Sequence, residues 1–248
     1  VSPSVLRELG IYGGAQGIWR DVDQTAKLTE NFEGITVSVL HTGQHYPDDW
    51  TSDGVLYHYP HTDRPPTLDR NEIAATKAAG AFRLPIFVIS HNNNNRLFRD
   101  VHLGWICGWD DASELFLILF QREPPEQLIV DSEDETQFRI FDERPIKHSP
   151  RKVRDNQARF RFQVIQRYGA QCALCHVAVN ELLEAVHLVP KSASGTDDPR
   201  NGLILCVLHH RAFDTGLIGI DPESTAIRYL SNSVTKDKLG IVFDDLAH

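Results

Sequence analysis

"LCVLHHRAFD" occupies residues 205–214 and sets His209 and His210 side by side, shortly after Cys206. On a helix, neighbouring side chains point about 100° apart, so adjacent imidazoles face different surroundings and suit two sites better than one. The sequence around the pair shows what those sites are.

Upstream, "CALC" places Cys172 and Cys175 at the spacing of a metal knuckle, and "CVLH" repeats that spacing with Cys206 and His209. Three thiolates and one imidazole complete a closed tetrahedron, which suits a structural zinc in a small domain short of core. His209 is then committed to that ion, and His210 needs another role. Between the knuckles, "LEAVHLVPKSASGTDDPRNGLILC" reads as a strand carrying His187, a loop rich in Gly, Asp and Pro, and a second strand after Asn201 that leads into Cys206.

His187, Asn201 and His210, framed by the two knuckles over roughly Phe162 to Asp221, resemble the HNH nuclease motif and its ββα-metal fold. The resemblance implies that His187 is the general base, since a neutral imidazole titrates near physiological pH and can accept a proton from water. It implies that His210 is a ligand of a catalytic divalent ion, Mg²⁺, Mn²⁺ or another, which would supply Lewis acidity at the phosphate. Asn201 takes the family's middle position, where its amide braces the loop and orients the base. One departure stands out. Many relatives carry Asp or His immediately before the base as a second ligand, and this chain has Val186. Glu184 and Asp214 are the nearby carboxylates that could replace it, with phosphate and water as the other choice.

The rest of the chain fits two domains and a connector. At 248 residues it exceeds the usual single-domain size. Up to roughly Phe141 it reads as short strands, "GITVSVL", "GVLYHY", "LPIFVIS" and "ELFLILF", separated by turn formers, with one helix over "LDRNEIAATKAAGAF". The expected units are a reader domain over 1–142, a basic linker over 143–160 and the nuclease domain over 161–248. A net charge of -9 argues against a nonspecific polyanion binder, but the charge is uneven. Acids dominate from Glu123 to Glu143. Bases then take over, with Lys147, Arg151, Lys152, Arg154, Arg159 and Arg161, either as a solvated face or as a segment that tracks phosphate. No window is apolar enough to span a bilayer, the N-terminus lacks signal-peptide order, and the clustered cysteines suit a reducing compartment, so the expected location is the cytoplasm.

"GQHYPDDWTSDGVLYHYPHTDR" is the most unusual text of the first half. A domain that reads an extruded base must stack it on aromatic faces and bond its polar edge. The aromatic and acidic residues of this stretch equally suit sheet packing and turns. The stretch resembles the core motif of the SRA domain, a reader of modified cytosine, and "QGIWRD", "LPIFVIS", "VHLGWICGWDD" and "ELFLILF" resemble that family's other strands. The resemblance implies that Tyr46 and Tyr59 stack the flipped base and that Asp49 bonds its Watson–Crick edge. Pro60, which lacks a backbone donor, and a longer Asp49-to-Gly54 segment depart from the pattern.

The fold expected from both resemblances is α+β: an N-terminal SRA/PUA-like twisted β-barrel with a packed helix, then a C-terminal zinc-stabilised ββα-metal HNH domain. Together they resemble a modification-dependent restriction endonuclease, whose partner is double-stranded DNA carrying 5-methyl or 5-hydroxymethyl cytosine. A homodimer is compatible, because one such site hydrolyses one strand. The alternatives are a binding module for modified DNA with a non-catalytic HNH-like zinc domain, and a reader of RNA or of another base.

Overall fold

The alternating and wholly apolar runs of the first half become strands. In the computed structural model, which describes residues 1–12, 17–41, 49–92, 95, 97–129, 138–141, 156–221 and 223–246, the chain divides into units Val1–Glu133 and Asp134–His248. The first unit runs α1 (Pro3–Glu8), β1 (Ile18–Asp21), α2 (Val22–Thr25), β2 (Ile35–His41), β3 (Asp49–Trp50), β4 (Gly54–His58), α3 (Pro66–Ala81), β5 (Pro85–His91), β6 (Arg99–Asp110) and β7 (Leu115–Leu119). Its strands form one sheet in the order β1-β2-β5-β6-β7-β4-β3. The pair β2 and β5 is parallel, and the other pairs are antiparallel.

The closed barrel expected from the sequence is not what this sheet forms. Among the described residues the strand order is open, with β1 and β3 at its edges. The sheet does curl. The Tyr57 hydroxyl on β4 donates to the carbonyls of Gly17 and Leu40 at 3.1 and 3.3 Å, and the Trp50 ring on β3 lies 5.4 Å from that of His41 on β2. Side chains thus bridge the gap where a barrel would have a ladder. Among the described residues the edge strands span four and two residues, too short to supply that ladder.

Helix α3 packs on the sheet through small residues. Ala75 and Ala79 are fully buried, and at Gly80 a Cβ would sit 3.0 Å from Ile106. The Thr76 hydroxyl bonds that of Thr36 on β2 at 2.9 Å. The start of α3 is held by Arg64, whose guanidinium donates to both oxygens of the buried Glu72 at 2.9 Å and to Asp69 at 2.8 Å.

The second unit contains α4 (Gln157–Tyr168), β8 (Leu183–His187), β9 (Gly202–Cys206), α5 (Val207–Asp214), β10 (Ile218–Ile220), β11 (Ile227–Tyr229) and α6 (Lys236–Leu239). β8 and β9 pair antiparallel, with His187 opposite Gly202 and Leu183 opposite Cys206, and α5 follows at once to complete a ββα unit. α4 buries Phe160, Phe162, Val164 and Ile165, and each such side chain contributes roughly 1.5–3 kcal/mol when fully buried. Close packing requires glycine at 202, where a Cβ would lie 2.5 Å from Val164 and 2.9 Å from Phe160. Arg161, also buried, donates to the carbonyls of Leu183 and Asn180 and ties α4 to the entry of β8. Among the described residues, no helix is long and apolar enough to cross a membrane.

Candidate active site

The hairpin and α5 bring the two knuckles together. Cys206 ends β9 and caps α5, which puts His209 in the first turn. The "CALC" turn docks on the same strand through the Ala173 amide, which donates to the Ile204 carbonyl at 2.8 Å. Nδ1 of His209 lies 3.3 Å from Sγ of Cys172 and 3.2 Å from Sγ of Cys206, and Cys175 and Cys206 are 4.0 Å apart. All four residues are buried, and their ligand atoms lie within 4.8 Å of one another. Sulfurs around tetrahedral zinc stand roughly 3.8 Å apart, given Zn–S bonds of about 2.3 Å, so the cage fits that ion. Nε2 of His209 faces the Leu239 carbonyl at 3.1 Å; donating there leaves the Nδ1 lone pair aimed at the sulfurs. Burial, then the neighbouring Cys172 and Cys206, pushes the Cys175 thiol up to about 12 despite a backbone hydrogen bond from Val177.

His210 points elsewhere. Its Nδ1 is 2.5 Å from Oε2 of Glu184 and its Nε2 is 3.1 Å from Oδ2 of Asp214, one helical turn on. Both carboxylates considered as replacements for the missing neighbour of His187 therefore converge on this imidazole. Val186 is buried, while Glu184, two residues back on the same face of β8, reaches outward.

His187 ends β8 beneath the Phe160 ring, with centroids 3.8 Å apart and planes 4° from parallel. Its Nε2 lies 3.0 Å from Oδ1 of Asp197, whose Oδ2 accepts from Lys191 at 2.7 Å. Burial alone would raise the Asp197 carboxyl, but the hydrogen bonds from His187 and Lys191, with their charge, outweigh it and hold the group below the usual carboxylate range.

Asn201 is fully buried and closes the connection between β8 and β9. Its Oδ1 accepts from the Val189 amide at 2.9 Å, and its Nδ2 donates to the carbonyls of Val189 and Thr196 at 3.0 and 2.9 Å. Gly195 makes this closure sterically feasible, since a Cβ there would fall 1.7 Å from the Val189 carbonyl oxygen.

Residues 172–221 match the family model described as HNH endonuclease. This segment is an HNH endonuclease domain. The match begins at the first cage cysteine and takes in His187, Asn201 and both histidines of the pair. Comparison with curated proteins finds no match. Among solved structures, one described as a modification dependent TagI restriction endonuclease aligns at 16% identity and a TM-score of 0.36, covering 100% of this chain and 84% of that one. A likeness of that size bears on neither fold nor function.

Within the HNH domain, sequence reading missed Asp197, and it also missed Phe160 just upstream of the matched range. Asp197 is one of two adjacent aspartates in a turn-forming stretch. Asp198 caps the turn Pro199–Asn201 and pairs with Arg200 at 2.6 Å, and only the fold separates that task from the contact with His187. Spacing carries no signal for Phe160, because α4 lies outside the hairpin.

Of the linker expected over 143–160, residues 143–155 fall outside the described residues, and Gln157 to Phe160 already belong to α4; in the first unit, Tyr46 also falls outside them. Asp49 stands in β3 opposite Leu56. Tyr59 is 4% exposed, with its ring 4.5 Å from Phe116 and its hydroxyl donating to Asp111 at 2.8 Å. Burial first, and then Asp111, which also accepts from Lys77, raises that hydroxyl well above the usual tyrosine range. The ring thus lies within the buried cluster of the first unit.

Proposed function

We propose that the chain is a modification-dependent DNA endonuclease, in which the HNH domain hydrolyses a phosphodiester near a modified cytosine held by the first unit. The observation that carries the hydrolytic half is the division of the doubled histidine: His209 sits inside the thiol cage and His210 faces two carboxylates outside it. In this reading water gives a proton to His187, the water oxygen bonds to phosphorus, and the P–O3′ bond breaks. The departing 3′-oxygen takes its proton from solvent. A divalent cation held by His210 with Glu184 or Asp214 would offset charge on the phosphate and the leaving oxygen. Asn201 keeps the loop after His187 in shape, and Cys172, Cys175, Cys206 and His209 would hold a structural zinc that ties hairpin to helix.

The modified-base half rests on the SRA-like stretch around Asp49, with Tyr46 and Asp49 as the residues that would receive the base. The enzyme would act on double-stranded DNA in the cytoplasm, as a homodimer or by sequential nicks. The test is incubation of the zinc-loaded protein with Mg²⁺ or Mn²⁺ and matched duplexes carrying cytosine, 5-methylcytosine or 5-hydroxymethylcytosine. Cutting confined to a modified duplex supports the proposal. Equal cutting of all three removes the modification dependence, and cutting of none removes the nuclease.

A further inference from the structure

The geometry points to Asp197 as a positioning residue for His187, one that fixes which imidazole nitrogen receives the proton from water. This inference rests on the hydrolytic reading above and adds a residue to it. Asp197 Oδ1 lies 3.0 Å from Nε2 of His187, so an ionised carboxylate there draws the ring proton to Nε2 and leaves the Nδ1 lone pair for water. Lys191 on the second oxygen, at 2.7 Å, favours the ionised form that accepts rather than donates. The carboxylate is itself held in place. Asn201 grips the Thr196 carbonyl immediately before it, and the Asp198–Arg200 pair anchors the residue immediately after.

The ring plane is fixed separately by Phe160, stacked at 3.8 Å. Around His187, then, the loop presents Asp197 and Lys191, α4 presents an uncharged ring, and β9 presents Gly202 in register. The nearest helix of the ββα unit presents His210, which is already engaged with Glu184 and Asp214. Among these groups Asp197 is the one carboxylate in contact with the base. It stabilises the imidazolium that forms when the base accepts its proton.

Two measurements test this on the zinc-loaded full chain. Long-range ¹H–¹⁵N spectra read the His187 tautomer without substrate; the parent should show the proton on Nε2, and Asp197→Ala should lose that preference. In cleavage assays, Asp197→Asn should lower kcat on the order of 10²–10³-fold, with the KM for the duplex within twofold and the zinc content unchanged. Asp197→Glu should recover part of the rate. A parent tautomer with the proton on Nδ1, or an Asp197→Asn enzyme with kcat within threefold of the parent, overturns the assignment. If His187→Ala is inactive while Asp197→Asn is not, the positioning role alone falls. If His187→Ala cuts at the parental rate, the hydrolytic reading itself falls.

Discussion

His209 and His210 are chemically identical and one position apart, yet their surroundings give them opposite consequences when removed. His209→Ala takes one ligand from a buried cage, and structural metal contributes directly to folding, so zinc should be lost and the Asp134–His248 unit should unfold. His210→Ala should retain one zinc per chain by elemental analysis while cleavage drops at least about 100-fold. Asn201→Ala should lower stability by about 2–4 kcal/mol in a denaturant titration, because it strands three backbone partners of a fully buried amide. Much of this was legible in the sequence, since the knuckle spacings and the doubled histidine are local and a helix translates adjacency into angle directly. Asp197 and Phe160 were not, because their contacts with His187 depend on how a loop closes and where a separate helix docks. The burial of Tyr59 was not legible either. An aromatic in a suggestive motif can point into the core, and alternation along a strand does not say which face the motif residue takes.

The strands and helices came close to their sequence expectations wherever an element's own residues determine it. The helix expected over "LDRNEIAATKAAGAF" starts two residues earlier, at Pro66, since proline suits the first helical turn. The barrel was beyond reach, because closure depends on edge-strand length and on pairing across the sheet. Two predictions belong to this scale. Gly202→Ala should cost about 1–3 kcal/mol by overpacking against Val164, and it should also reduce cleavage by pushing Phe160 off His187; thermal melts and kcat report the two effects. The second concerns acid. Burial alone would raise the Asp69 carboxyl at the start of α3, but bonds from Thr62 and Arg64 prevail and hold it below its ordinary value. A carboxyl lowered in the folded state contributes stability above its unfolded value, near about 4, and that contribution is lost as pH falls toward the folded value. The melting temperature of the first unit should therefore fall as pH drops below about 4, and Asp69→Asn should flatten that fall.

At the scale of the molecule, each unit carries its own core and its own proposed task, with the chemistry confined to the second. The second unit's two-stranded hairpins cannot bury much apolar surface, so the cage takes part of the role a larger core would have. Chelation should accordingly unfold Asp134–His248 and leave the sheet of Val1–Glu133 intact, as separate transitions in circular dichroism. The claim beneath all of these is that two neighbouring imidazoles of α5 belong to two different ions. Anomalous diffraction from crystals of the zinc-loaded protein soaked in Mn²⁺ tests it most directly. The account predicts a zinc peak enclosed by Cys172, Cys175, Cys206 and His209, and a separate manganese peak at His210. A single peak touching both imidazoles, or a second ion far from His210, would contradict it.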